Sequence, residues 1–161
     1  MVIFSFLGAL MFVGKILMEP FPNIHPVGML TMVYTLVYRK KALWPIYLYV
    51  FLLGVYYGFT NWWIPHLYVW LFLWGATMVL PRTLPTKVAP VVYMMVCALH
   101  GLLYGILWAP LQAIMFHYTF KGMIAWIVAG FPWDILHAIG NFAMGALVLP
   151  LTSLLKKLQK R

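Results

Sequence analysis

Apolar residues run along this chain in long blocks with little alternation, and the blocks close on prolines, glycines or knots of charge. The first block, Val2 to Met18, stops at Glu19-Pro20-Phe21-Pro22-Asn23, where two prolines end a helix. A short block follows from Pro26 to Tyr38, then a Tyr-rich one from Ala42 to Gly58 and a Trp-rich one from Pro65 to Leu80. The fifth starts near Val88 and reaches Leu107 or, with a kink at Pro110, Phe116. A bilayer core of about 30 Å takes roughly 20 apolar residues as a helix, with shorter segments serving at its edges. Helices are the default in lipid because they pair every backbone polar group internally. The ~10-residue alternation of a transmembrane barrel is not found here.

The last third parses in two ways. Pro132 suits the first position of a helix, and from there to Leu155 is about 36 Å at 1.5 Å per residue. This gives a sixth span over 132–155 and makes 111–130 a folded outer connection, the parse adopted here. The alternative starts near Ile124 and makes an unusually long span.

Composition settles the class. The chain is 65% hydrophobic and 8% charged, with a mean hydropathy of +0.94, where soluble domains carry about 25% charged residues. The expected fold is therefore an all-α integral membrane protein, a six-helix bundle forming one transmembrane domain over 1–161. The net charge of +9 sits at block ends and not interleaved on one face, which is a membrane signature and argues against nucleic acid. Arg39, Lys40 and Lys41 lie between spans two and three, Arg82 and Lys87 between four and five, and Lys156, Lys157, Lys160 and Arg161 after span six. Six spans put all of these on one side, which the positive-inside rule makes cytoplasmic, with both termini, in the cell membrane. Only Lys15 and Lys121 lie toward the other side. The N-terminus has no basic n-region and no cleavage site, so residues 1–18 read as a retained span. Cys97 is the single cysteine, which excludes an intrachain disulfide.

The outer loops are then 19–26, 59–65 and 108–131. They hold Asn23 and His25, then Trp62 and Trp63, then Gln112 and His117, and His66 opens span four at the same level. Asp134, His137 and Asn141 follow at i, i+3 and i+7, one face of a helix. Polar groups in the apolar layer are costly, so this stripe faces the protein interior or a wet cavity. Bland readings stand beside each functional one. Trp62 and Trp63 also suit an interfacial belt, His66 and His117 a solvated surface, and His100 a bond to a carbonyl between helices. Lys15 is either a partner of Glu19 at i+4 or a buried counter-ion, and Asp134 also suits a helix cap.

No phosphate-binding Gly-rich loop, metal-ligand pair or nucleophile motif is present. The sequence offers no enzyme and no cofactor site of its own.

Two motifs bring a family into view. Gly130-Phe131-Pro132-Trp133-Asp134-Ile135-Leu136-His137-Ala138-Ile139-Gly140-Asn141 resembles the start of the sixth helix in substrate-binding S components of energy-coupling factor (ECF) transporters. There a Gly-x-Pro-aromatic-Asn/Asp-x-x-Lys/His pattern supplies substrate contacts. Ser5-Phe6-Leu7-Gly8-Ala9 is similar to the family's Ala-x-x-x-Ala docking motif, with Ser5 in place of the first Ala. The resemblance implies a substrate-specific subunit of an ABC importer that captures a vitamin or vitamin-like molecule at the outer face. It implies partners too: a transmembrane coupling subunit, docked through Ser5 and Ala9, and two cytoplasmic ATPases that use the ATP. It carries Asp134, His137 and Asn141 over as substrate contacts. Trp62, Trp63, His66, Asn23 and Gln112 are added from their position.

Trp and His suit a flat heteroaromatic ring, and the lack of an outer arginine disfavours a polyanion, though Lys15 could serve a single carboxylate. A neutral or weakly basic ring compound is expected. A stand-alone secondary transporter or channel, and an intramembrane enzyme using Asp134 and His137 as acid and base, remain open beside this reading.

Overall fold

The computed structural model describes residues 2–21, 23–81 and 84–159. Pro22, Arg82, Lys160 and Arg161, which entered the reading of turns and charge, lie outside the described residues. The chain forms α1 (Val2–Leu17), α2 (Val27–Tyr38), a 3₁₀ turn (Arg39–Ala42), α3 (Leu43–Tyr57), α4 (His66–Val79), α5 (Ala89–Leu102), α6 (Tyr104–Met115), α7 (Phe120–Gly145) and α8 (Val148–Leu158). No strand occurs among the described residues. Among the described residues, two stretches are long and apolar enough to cross a membrane: Ala89–Met115, 27 residues, and Phe120–Gly145, 26 residues.

The short helix α2 is the centre of the bundle. Every residue from Val27 to Leu36 is buried, and α1, α4, α5, α7 and α8 all pack on it. A helix apolar on every side is enclosed on every side. Its polar atoms are largely spent inside: Thr35 Oγ1 donates to the Thr31 carbonyl at 2.7 Å, and the Tyr34 hydroxyl donates to the Leu7 carbonyl of α1 at 3.2 Å. The outward surface is the reverse. Val79 is 86% exposed, Phe120 76% and Leu17 74%, so large apolar side chains clothe the bundle where a soluble domain carries charge.

The longest packed contact is between α5 and α7. It depends on Gly101, where a Cβ would lie 2.9 Å from the backbone of His137 and Ala138, too close for any side chain. Helix α5 passes into α6 at Leu103, and Pro110 lies inside α6. The break is therefore about two turns before the expected kink. It falls between Gly101, which lets the backbone of α7 approach, and Gly105, which faces the Asp134 carboxylate.

The expected sixth span is corrected more heavily. Helix α7 starts at Phe120, with Thr119 as its cap accepting from the Gly122 N–H at 3.2 Å. It continues through Pro132 and ends at Gly145; α8 follows after a two-residue break. A proline inside a helix removes one hydrogen bond, and that loss is tolerated in apolar surroundings when the helix is held on both sides. Residues 111–130 are thus the end of α6, a tight turn and the start of α7, and not a separate outer connection.

The basic end of the bundle is tied together. Arg39, at a left-handed φ of 54°, donates from Nη2 to the Met78 carbonyl at 2.7 Å. A cation at the C-terminal end of α4 complements the helix dipole there. The same residue's carbonyl accepts from Trp74 Nε1 at 3.3 Å. Beside them, α8 packs along α2 and carries Lys156 and Lys157 in its last turn.

Candidate functional site

At the opposite end, where α1 closes and α2 and α4 begin, loop residues Met18, Glu19, Phe21 and Asn23 to His25 line a cavity of about 240 Å³. Three histidines reach it: His25 from that loop, His66 from the first turn of α4 and His137 from α7. The His25 and His137 rings meet edge to face, 5.1 Å between centres. Tyr104 closes on His137 at 4.7 Å, and Trp70 lies 6.3 Å from His25 and 6.0 Å from Tyr49. Trp62 stands against His66 at 5.1 Å.

Hydrogen bonding fixes part of this wall and leaves part of it open. Trp62's carbonyl faces His66 Nδ1 at 3.1 Å, and since a carbonyl only accepts, Nδ1 carries the proton and Nε2 is the acceptor. Asn23, at a left-handed φ of 60°, donates from Nδ2 to the Trp133 carbonyl at 3.3 Å and pins the loop to α7. In contrast, His25 Nδ1, Trp70 Nε1 and His137 Nε2 are enclosed without a hydrogen-bond partner in the protein. Buried polar atoms left unpaired are costly, and all three belong to residues lining one cavity. A molecule with donors and acceptors on its edge would satisfy them. Burial, then the charge of Lys15, pushes the His25 imidazole down to about 3, so it is neutral at pH 7 and can both donate and accept.

The sequence-derived residues divide. Asn23, Trp62, His66 and His137 come together on the cavity. Asp134 and Asn141 share the buried face of α7 with His137, as their spacing required, but neither is part of the cavity lining. Asp134 Oδ1 accepts from the Gly105 N–H at 3.0 Å. That N–H belongs to the first turn of α6, so a side chain of α7 caps a neighbouring helix. A Cβ at Gly105 would run into the Asp134 carboxylate, so a larger residue there would displace the cap. Asn141 lies deeper, donating from Nδ2 to the Cys97 carbonyl at 3.1 Å. Trp63 donates from Nε1 to the Val50 carbonyl at 2.7 Å and fastens the 59–65 loop to α3. Gln112 is half-buried on α6, away from the cavity. His100 bonds the Val69 carbonyl through Nε2 at 3.1 Å, the interhelical bond considered for it.

On α1, Ser5 is exposed and Ala9 half-buried, while Gly8 between them presses on α3 with room for no Cβ. Tyr49, Trp70 and Tyr104 were not singled out from the sequence. Their only local signal is an aromatic at a helical position, which lipid-facing residues share.

None of the family models, curated proteins or solved structures compared with the chain matches it.

Proposed function

We propose that this chain is the substrate-capturing membrane subunit of an ECF-type importer. It takes a vitamin-like small molecule into the histidine and aromatic cavity from the outer face. The observation that carries the reading is the set of unpartnered nitrogens of His25, Trp70 and His137 around one cavity. They are an unmet hydrogen-bonding demand at the end of the bundle away from its basic clusters. The apolar exterior supports insertion of the whole bundle. Only 28% of the apolar window in the first long stretch and 11% in the second is buried, whereas the core helix of a soluble domain is mostly buried. The positive-inside rule then sets the basic end and both termini in the cytoplasm, with the cavity toward the outside. The coupling subunit and ATPases are those of the resembled family, with the exposed side of α1 around Ser5 and Ala9 as the docking face.

The test is mass spectrometry of small molecules retained by the purified full-length protein, with co-purification of partner subunits alongside. A retained ring compound whose binding is weakened at least about tenfold by His137→Ala supports the proposal, because a hydrogen bond in a dry site is worth about a decade of affinity. Turnover of a substrate by the isolated chain would point to the enzyme reading instead.

A further inference from the structure

A second cavity of about 320 Å³ opens beside the first, and the two share Lys15, Glu19, Trp62 and His66. The outer one adds Tyr57 and Leu53. Lys15 and Glu19 are four residues apart, the register in which opposite charges at a helix end ordinarily pair. Here they do not. The Glu19 carboxylate accepts from the Tyr57 hydroxyl, and the Lys15 ammonium lies 5.9 Å from the centre of the same Tyr57 ring. One tyrosine thus engages both charges, by its edge and by its face, and keeps them apart at the junction of the two chambers. A cation over an aromatic face is stabilised by the ring quadrupole, which compensates Lys15 in part for the missing ion pair.

Resting on the capture reading above, we infer that the ligand is a ring-bearing zwitterion whose carboxylate meets Lys15 and whose ammonium meets Glu19. A lone anion at this junction is attracted by Lys15 and repelled by Glu19, and a lone cation the reverse. Only a molecule with both charges gains from both residues. The inner chamber is smaller than the 300–1,000 Å³ of usual ligand pockets, so it holds a single or fused ring between Tyr49, Trp70 and Tyr104. There the free nitrogens of His25 and His137 address polar atoms on its edge. The charged head stays in the outer chamber. This departs from the neutral or weakly basic ring expected from the sequence, which could not see Lys15 and Glu19 held apart.

The experiment measures binding to full-length protein in lipid nanodiscs with three matched series. L-tryptophan, L-phenylalanine and L-histidine are each compared with the corresponding amine (tryptamine, phenethylamine, histamine). Each is also compared with the corresponding acid (indole-3-propionate, 3-phenylpropionate, imidazole-4-propionate). At least one amino acid should bind tenfold or more tightly than both of its relatives. Lys15→Met should bring that amino acid down to the level of its amine, and Glu19→Gln to the level of its acid. Tyr57→Phe, which frees Glu19 to pair with Lys15, should weaken the amino acid and leave uncharged indole or imidazole unchanged. A melting curve for each variant confirms folding. The inference is overturned if an amine or acid binds as tightly as its amino acid, if no amino acid binds, or if the two charge variants keep the wild-type preference. The capture reading is separable. If the co-purified molecule is weakened by His137→Ala but indifferent to Lys15→Met and Glu19→Gln, the cavity stands and the zwitterion falls. If all of these variants bind it as wild type does, the cavity itself is wrongly assigned.

Discussion

Replacing Asp134 separates a structural cap from a ligand contact. Asp134→Ala removes the acceptor 3.0 Å from the Gly105 N–H in a buried setting, and no other residue of α7 is placed to replace it. An unsatisfied buried donor costs about 1–3 kcal/mol. On the scale of domains this long, where 1 kcal/mol moves the midpoint by about 2–4 °C, the melting temperature should fall by several degrees. Asp134→Asn keeps an oxygen acceptor of the same shape, so its loss should stay under about 1.5 kcal/mol, the net worth of an ordinary hydrogen bond. Ligand affinity should change little in either variant, because Asp134 does not line the cavity. His137→Ala should do the opposite, weakening binding about tenfold or more. The assay is a melting curve and a titration of the co-purified molecule for each purified variant. An Asp134→Ala protein that melts like wild type but loses tenfold in affinity would refute the cap and return Asp134 to the ligand.

The remaining expectations are simpler to state. In a Cys97→Ala background, a cysteine at Leu84 should resist an impermeant reagent added outside intact cells, and labelling there would sink the orientation. Ala9→Trp should block assembly with a coupling subunit while leaving ligand binding by the isolated chain intact; loss of binding with assembly preserved would mean that this side of α1 is misassigned. The His25 imidazole is lowered from 6.5 to about 3, so the unfolded chain takes up its proton first. Its contribution to stability is therefore complete above about pH 6.5 and is lost as pH falls toward 3. That amounts to about 2 kcal/mol by pH 5, and His25→Gln should flatten the acid limb of the melting profile by that amount; an unchanged limb would show that His25 is solvated.

Much of the framework was readable because long apolar blocks announce helices by bulk composition, including the two stretches long and apolar enough to cross a membrane. The stripe of Asp134, His137 and Asn141 was placed on one buried face by spacing alone, and the structure agrees. What spacing could not give is depth and partner. Asp134 meets Gly105 across 29 residues of sequence, and nothing local to either residue reports that approach. The two helix joins were misread for a related reason. Pro132 and Pro110 are breakers by propensity, yet both sit inside helices held by neighbours, while the break at Leu103 has no proline and only Gly101 and Gly105 on either side. Thr119 was the legible signal for the start of α7, a capping residue just ahead of a helical run. Tyr49, Trp70 and Tyr104 stayed hidden because an aromatic facing a cavity and one facing lipid look alike in a sequence this apolar.

The buried helix α2 has a consequence for permeability. At 12 residues it is about 18 Å long at 1.5 Å per residue, and it stands between the cavity and the basic end. Met32 and Val33 are buried among packed side chains, so α2 closes the direct line between the cavity and the basic end. A solute held in the cavity has no straight path past it. On the proposed capture reading, inward delivery goes through a repacking around α2 or a reorientation of the whole body, both slow beside the fluctuations of a close-packed core. On the capture reading, the protein at rest is therefore a closed barrier, and the packing of α2 sets how slowly a captured solute passes inward.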